Sequence, residues 1–417
     1  MLKKVKIIFF KLTNKLWFRP LVISLITILL VFIAQLADDT FITDIAPKIE
    51  KKSIEDLLTT LSASMLVIAI FAVGAMVSAY ASATNTATPR SFKLVVADDA
   101  SQNALSVFIG SFIYSIVATI AFQNGFYGKA GYFTLFAFTI IVFIIVIITF
   151  LSWVERISKL GRLNNTIKKV EEATTKAIQS RKTAPNLGGA PVQNKIKKNT
   201  AVFSDKIGYV QYINMDELQE VAVSMNATFL INCIPGTFTA SDKPLIYLIS
   251  GDPSVLNENI EKINKAFTID PYRSFHDDPR FGLIALSEIA SRALSPGIND
   301  PGTAIMIIGS YVRLFSLWLK TDNNATAKIK YDRIQVPEIS LNDMLDDAFR
   351  PIARDGANNI EVMLRMQKAL QSISHNTSLE NQKFILSHAL EAYQRAELAL
   401  EFKGDQELLR RECHSEN

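Results

Sequence analysis

The first 153 residues of this 417-residue chain contain four apolar stretches, each long enough to cross a lipid bilayer. They cover residues 17–36, 57–80, 104–122 and 132–153. A helix needs about 20 apolar residues to cross roughly 30 Å of hydrocarbon with its backbone hydrogen bonds satisfied internally. The sequence therefore predicts a membrane α-helical domain of four transmembrane helices, residues 1–153, joined to a larger region of soluble composition.

The basic residues that flank these stretches predict the orientation of the chain. Lysine and arginine accumulate on the cytoplasmic side of membrane proteins. Here they cluster around the start of the first stretch and after the fourth: Lys3, Lys4, Lys6, Lys11, Lys15 and Arg19, then Arg156, Lys159, Arg162, Lys168 and Lys169. We therefore expect a multi-pass protein of the bacterial cytoplasmic (inner) membrane, with both termini cytoplasmic, loop 37–55 external and an uncleaved first anchor.

Net charge and cysteine content limit the kinds of partner and site that we expect. The formal charge of +4 comes largely from the membrane flanks, which favours contact with the headgroups of a lipid bilayer over nucleic acid. Cys233 and Cys413 both fall in the predicted cytoplasmic region, where we expect free thiols and neither a disulfide nor a metal site.

Small and hydroxyl residues inside the apolar stretches allow two interpretations. They either let helices approach closely or line a polar path, with Gly74, Ser78 and Ser82 predicted at a helix–helix contact. Because no charged residue interrupts the four apolar cores, an ion-coupled pump is disfavoured. The candidate pore or packing positions are Ser62, Gly74, Ser78, Gly110, Ser111 and Ser115.

The soluble region divides into three predicted parts. Residues 154–200 form an amphipathic helix and then, at 181–200, a flexible linker rich in proline, glycine and lysine. Residues 201–252 carry three strand-like runs and one short helix, which predicts a small β-rich module. Residues 253–417 carry six helical patterns, so the predicted cytosolic region is α+β, a β module followed by a helical one.

The most distinctive string is SRALSPGINDPGTA, residues 291–304. It predicts a tight corner between two helices, in which Gly297 takes a conformation costly to other residues and Asp300 caps a helix that starts at Pro301. A second acid–proline–glycine string, at 277–282, leads into the first of these helices. The candidate positions of this corner, functional or structural, are Asp278, Glu288, Arg292, Ser295, Pro296, Gly297, Asn299, Asp300 and Pro301.

Taken together, these features resemble a family of bacterial membrane proteins known as domain of unknown function 2254. The resemblance covers nearly the whole chain and rests on the four-span layout and on these residues: Pro89-Arg90, 110–114, Gly208-Tyr209-Val210, Pro235-Gly236, Asp278-Pro279, Phe281-Gly282 and 292–301. Where similar proteins have serine, glutamine, phenylalanine and serine before the proline, this chain has Asn85-Thr86-Ala87-Thr88. The resemblance implies an architecture and no established activity.

Three functional hypotheses remain open. The favoured one is an oligomeric channel or permeation-type protein whose cytosolic domain assembles or gates it. The second is a membrane-anchored sensor or scaffold that binds a ligand or partner. The third, an enzyme, would gather His276, Asp277, Asp278, Glu288, Asn299 and Asp300 around a hard cation; helix capping and a Glu288–Arg292 ion pair explain these residues more simply. We therefore expect a homo-oligomer without enzyme activity, cofactor or metal.

Overall fold

The structure is a computed structural model, and it describes residues 17–39, 47, 49–86, 88–96, 99–193, 200–320, 329–375 and 377–414. The basic residues before position 17, most of the predicted external loop at 40–48 and the lysine run of the predicted linker lie outside this part. The chain divides into an N-terminal unit, Met1–Thr166, and a C-terminal unit, Ile167–Asn417.

The N-terminal unit is a helical bundle. Its central helix is α4, which packs against α1, α2 and α5. The Asp38 carboxylate joins the end of α1 to the start of α5 by accepting hydrogen bonds from the backbone N–H groups of Gly128 and Gly131, at 2.6 and 2.8 Å. The helices are α1 Phe18–Leu36, α2 Lys51–Thr86, α3 Pro89–Val96, α4 Asp99–Gln123 and α5 Lys129–Lys159.

The C-terminal unit combines helices with two small sheets. Its helices are α6 Leu163–Thr183, which begins just before the unit boundary, α7 Met215–Ser224, α8 Pro253–Ala266, α9 Pro279–Ala293, α10 Pro301–Leu319, α11 Leu341–Asp355, α12 Ile360–Ser374, α13 Leu379–Ala399 and α14 Lys403–His414. Its strands are β1 Gly189–Ala190, β2 Thr200–Phe203, β3 Gly208–Ile213, β4 Thr228–Ile231, β5 Phe238–Thr239, β6 Pro244–Ser250, β7 Phe267–Asp270 and β8 Tyr331–Gln335.

One sheet has the strand order β1-β8-β4-β6-β2 and the other has β5-β3-β7. The predicted strands at 207–213, 229–234 and 245–249 correspond to β3, β4 and β6. The predicted order of modules differs from the structure, because β8 comes from within the predicted helical module and pairs in parallel with β1 and β4. β1 has only two residues, and charged residues interrupt any apolar run in β8, so neither strand shows a strand pattern in the sequence.

The predicted linker at 181–200 also differs from the structure. Its first residues complete α6, and Gly189–Ala190 forms β1 against β8. Glycine and proline indicated flexibility there, but the backbone groups of Gly188 and Ala190 accept hydrogen bonds from Tyr331 and Val336 at 2.9 and 3.0 Å. A partner strand that is distant in sequence therefore orders this segment.

Five helices within the described residues are long and apolar enough to cross a membrane. Four of them, α1, α2, α4 and α5, contain the four predicted stretches, and the fifth is α10, which the sequence analysis assigned to the soluble region. The chain is thus mostly helical, with some β-sheet and several apolar helices, as in a multi-pass membrane protein.

Candidate functional site

The buried carboxylate of Asp278 lies at the start of α9 and is held by two groups. Its Oδ1 accepts a hydrogen bond from the backbone N–H of Phe281 at 3.2 Å, which caps the helix. The Arg273 guanidinium donates from Nε to Oδ2 at 2.7 Å and from Nη2 to Oδ1 at 2.8 Å. Because the side chain of Asp278 is 4% exposed and that of Arg273 is 14% exposed, this two-pronged ion pair is largely shielded from solvent.

Segments that are distant in sequence meet around this pair. The Arg273 guanidinium carbon lies 6.0 Å from the ring centre of Tyr209 and 5.5 Å from that of Phe281, within the range of cation–π attraction. Gly236 has a φ of 91°, and a Cβ atom there would overlap the Asp278 carboxylate. Three of the motifs that carry the family resemblance therefore surround one ion pair.

Gly282 has a packing role in the same motif. A Cβ atom at this position in α9 would overlap the side chain of Thr174 in α6. The absence of a side chain thus allows the two helices to approach closely, and the string from Asp278 to Gly282 combines a helix cap with a close helix contact.

Of the two predictions for the corner at residues 291–304, one is confirmed and one is wrong. Asp300 caps α10 as predicted, because it accepts hydrogen bonds from Thr303 N at 3.1 Å and Thr303 Oγ1 at 2.5 Å. The prediction for Gly297 is wrong. Gly297 lies outside the left-handed region, and a Cβ atom there would meet nothing within 4 Å. Asn299 takes the left-handed conformation, with a φ of 49°, which its short polar side chain tolerates.

The other candidate residues of the corner are spread over α9 and the turn after it. Glu288 is half-buried, Pro296 is exposed, and Ser295 Oγ donates to the carbonyl of Arg292 at 2.7 Å. The Glu288–Arg292 ion pair stays a prediction. In the described part of the chain, no three His, Cys, Asp or Glu side chains are grouped so that they could hold a metal ion.

Arg181, in the last turn of α6, is the least expected residue near this site. It is 3% exposed, and none of its three guanidinium nitrogens has a hydrogen-bond partner among the described residues. Burial lowers the pKa of Arg181 to about 10, although the negative charges of Asp277 and Asp278 act in the opposite direction. Arg181 is therefore a protonated, buried guanidinium at neutral pH, an arrangement that is unfavourable without acceptors.

Arg181 also lines a cavity of about 600 Å³, within the range of small-molecule sites. Both signs of charge occur in its wall, and the first turns of α11 and α13 contribute to it. Lys182, in the same wall, donates from Nζ to the carbonyls of Leu317 and Lys320 at 2.9 and 2.6 Å. The lining residues are Arg181, Lys182, Pro185, Trp318, Glu338, Ile339, Ser340, Leu341, Asn342, Glu380, Asn381 and Phe384.

Of the three α2 residues predicted at a helix–helix contact, Gly74, Ser78 and Ser82, none is buried. Gly74 and Ser78 are exposed, and a Cβ atom on Gly74 would meet nothing within 4 Å. Ser62 is half-buried, and its hydroxyl donates to the carbonyl of Thr59 at 2.9 Å. Within a single chain, the predicted contact at Gly74 is therefore wrong, because this face of α2 points away from the bundle.

The candidate positions on α4 lie inside the bundle. A Cβ atom on Gly110 would be 2.5 Å from Cγ2 of Ile23, and Thr27 Oγ1 donates to the Gly110 carbonyl at 3.1 Å. Ser111 and Ser115 are buried, and Ser115 Oγ donates to the carbonyl of Ser111 at 2.8 Å. Gly110 therefore allows close packing with α1. Because the α2 candidates are exposed or half-buried and the α4 candidates are buried, the six candidates do not share one path within a single chain.

Sequence reasoning did not identify Arg181, Thr174 or Arg273. Arg181 follows Gln179 and Ser180 at the edge of the predicted linker, where an arginine is usually solvated. Arg273 lies in an irregular segment without periodicity, five residues before its partner Asp278. The adjacent aromatic, acidic and proline residues were the only available signal for Arg273. The signal for Arg181 was its position four residues after Ala177, on the face of α6 that the helical period buries.

Comparison with known proteins gives one match over most of the chain. A family model described as "Predicted membrane protein (DUF2254)" matches residues 13–372. Over 106 residues the chain is 30% identical to "Uncharacterized protein Rv1290c" of Mycobacterium tuberculosis (strain ATCC 25618 / H37Rv) and to "Uncharacterized protein Mb1321c" of Mycobacterium bovis (strain ATCC BAA-935 / AF2122/97). Each alignment covers 24% of this chain and 20% of the relative. No solved structure matches the chain significantly.

Proposed function

The chain belongs to the DUF2254 family of predicted membrane proteins, and we propose that it is a receptor anchored in the bacterial cytoplasmic membrane. Its C-terminal unit binds a small organic acid and performs no catalysis, and its ligand is neither a nucleic acid nor a cofactor. The observation that carries this proposal is a ligand-sized cavity with Arg181 in its lining, together with the buried guanidinium nitrogens of Arg181, which have no hydrogen-bond partner among the described residues.

The proposed topology has four spans, α1, α2, α4 and α5, with both termini in the cytoplasm. Support for excluding α10 comes from the environment of its side chains. The exposed residues of α10 are Gly302, Arg313 and Ser316, whereas Tyr311, Leu314 and Phe315 are buried. Arg313 also pairs with Glu171 of α6, through Nε to Oε1 at 2.6 Å and Nη2 to Oε2 at 2.7 Å. The apolar character of α10 thus fits a core helix of a soluble unit.

The ligand chemistry follows from the groups around the cavity. A carboxylate or phosphate oxygen offers the acceptors that a buried guanidinium lacks, and arginine binds such groups through two parallel hydrogen bonds. Glu338 and Glu380 at the wall favour a ligand that also carries donors, such as an amino acid. Trp318, Ile339 and Phe384 supply apolar contacts.

The experiment compares wild type with Arg181→Met, using the full chain in detergent. Methionine has a similar length and no charge, so we expect a higher thermal midpoint without ligand, because the cost of burying an unpaired charge is removed. A panel of amino acids, dicarboxylates and organic phosphates is then added at millimolar concentration. At least one should raise the wild-type midpoint, since a ligand at 100 times its dissociation constant adds about 2.7 kcal/mol of stability.

Two controls identify the cavity. Arg365→Met changes an exposed arginine of α12 and should respond to the panel as wild type does. Glu380→Trp should fill the cavity and abolish the response, whereas Lys383→Trp, on the same helix but outside the cavity lining, should retain it. The proposal fails if no compound stabilises wild type, or if Arg181→Met lowers the midpoint and keeps the response.

A second candidate function is an oligomeric channel. The exposed position of Gly74 and Ser78 on α2 favours it, since that face remains available for copies of the chain around a common axis. In a chain lacking Cys233 and Cys413, Ser78→Cys should then form disulfide-linked dimers in membranes under mild oxidation, and Val73→Cys, an exposed position on another side of α2, should not. Equal cross-linking at both positions would contradict this arrangement.

A further inference from the structure

A groove of about 390 Å³ lies between α4 and α5 in the N-terminal unit. On α5 its lining residues recur every three or four positions, so they share one face of the helix. Trp153, 2% exposed, also lines it. The lining residues are Ala100, Asn103, Ala104, Val107, Ile148, Thr149, Ser152, Trp153, Glu155, Arg156 and Lys159.

The groove changes from apolar to basic along its length. Val107 of α4 and Ile148 of α5 line its apolar part, and Arg156 and Lys159 line the other end, in the last turn of α5. Tryptophan side chains such as Trp153 favour the boundary between hydrocarbon and headgroups. The lining of the groove therefore changes from apolar to charged along its length, as one leaflet of a bilayer does from its acyl chains to its headgroups.

A third cation and a helix terminus lie at the basic end. Arg19 Nη1 donates to Oδ1 of Asn103 at 2.8 Å, which brings a guanidinium to a residue of the groove wall. Lys159 Nζ pairs with Glu155 Oε1 at 2.6 Å, so one of the positive charges is partly balanced. The first turn of α4, which starts at Asp99, directs backbone N–H groups toward this end.

We propose that this groove binds one anionic phospholipid. An acyl chain lies along Val107 and Ile148, and the phosphate lies near Arg156, Lys159 and Arg19. A phospholipid fits better than a soluble anion, because Ile148 and the neighbouring Leu151 are 60% and 64% exposed and form an apolar surface beside the groove. The site is independent of the proposed receptor function, since it lies wholly within the N-terminal unit.

The test is native mass spectrometry of the full chain in detergent with added phosphatidylglycerol or, as a zwitterionic comparison, phosphatidylcholine. Wild type should retain one phosphatidylglycerol more strongly than phosphatidylcholine. Arg156→Gln combined with Lys159→Gln should weaken phosphatidylglycerol retention by about tenfold, because each basic residue near an anionic lipid contributes to binding. Lys51→Gln combined with Lys52→Gln, at the start of α2, should leave retention unchanged.

A matched tryptophan pair tests the groove itself. Ser152→Trp fills the groove without changing its charges and should abolish retention, whereas Leu151→Trp, at the adjacent exposed position outside the lining, should not. The proposal is overturned if Ser152→Trp and Leu151→Trp retain equal amounts, or if both lipids bind wild type equally. It is also overturned if Ser152→Trp abolishes dimers instead of lipid retention, because the occupant is then a second copy of the chain.

Discussion

Both units of the chain bury apolar side chains, but they expose different kinds of residue. In the N-terminal unit, large apolar side chains such as Ile70 and Leu151 are 66% and 64% exposed, and hydroxyl groups such as that of Ser115 donate to carbonyls of their own helix. In the C-terminal unit, Tyr311 and Phe349 are buried, and a buried carboxylate such as that of Asp278 pairs with an arginine. The first arrangement is expected of a protein surrounded by hydrocarbon, and the second is expected of a protein surrounded by water.

The same difference separates two helices that both have the length and composition of a span. α1 and α10 each have 19 residues, with mean hydropathies of 2.2 and 1.4, yet the side chains that α1 exposes include Leu25 and Phe32, and those that α10 exposes are small or charged. The direction in which apolar residues point is therefore more informative than their number.

The largest expected effect concerns the buried ion pair of the C-terminal unit. Arg273→Ala leaves the carboxylate of Asp278 buried and without its main partner, which should destabilise the unit by about 3–5 kcal/mol. Lys265→Ala, which breaks the fully exposed pair with Glu261, should leave the thermal midpoint almost unchanged. Thermal unfolding of the full chain in detergent measures both, and equal losses would contradict the assigned burial.

A smaller effect is expected in the N-terminal unit. Gly110→Ala places a Cβ atom against Ile23, so we expect a loss of about 1–3 kcal/mol from overpacking. Gly74→Ala meets open space and should be neutral or slightly stabilising, because alanine favours helix. If Gly74→Ala lowers the yield of assembled protein and Gly110→Ala does not, the exposed face of α2 is a subunit contact, and the contrast between the two glycines is reversed.

The smallest expected effect is at the start of α10. Asp300→Ala removes a helix cap and should cost about 1 kcal/mol, whereas Asp300→Asn should retain most of the stability. Gly297→Ala should have little effect, because the left-handed residue of this turn is Asn299. Unchanged midpoints for both Asp300 variants would refute the capping role, and a large loss for Gly297→Ala would restore the role first predicted for that glycine.

Local patterns made much of this fold predictable. Four apolar stretches, three strands and the capped starts of α9 and α10 all leave signals within a few residues, since caps and periodicity are local effects. The pairing of β1 with β8 and the contact of Gly282 with Thr174 join segments far apart in sequence, where no local pattern exists. The helical period places Arg181 on the buried face of α6, but the acceptors missing around its guanidinium among the described residues depend on distant segments, so that part of the candidate site required the structure.

Cysteine labelling tests most directly the claim that four helices cross the membrane and α10 does not. Asn124→Cys, Asp242→Cys and Glu401→Cys are introduced singly into a chain lacking Cys233 and Cys413, and intact cells are treated with an impermeant maleimide. We expect Asn124→Cys to react at once, and Asp242→Cys and Glu401→Cys to react only after permeabilisation. If only one of Asp242→Cys and Glu401→Cys reacts on intact cells, the two positions lie on opposite sides of the membrane. That result would place α10 across the membrane and contradict the account.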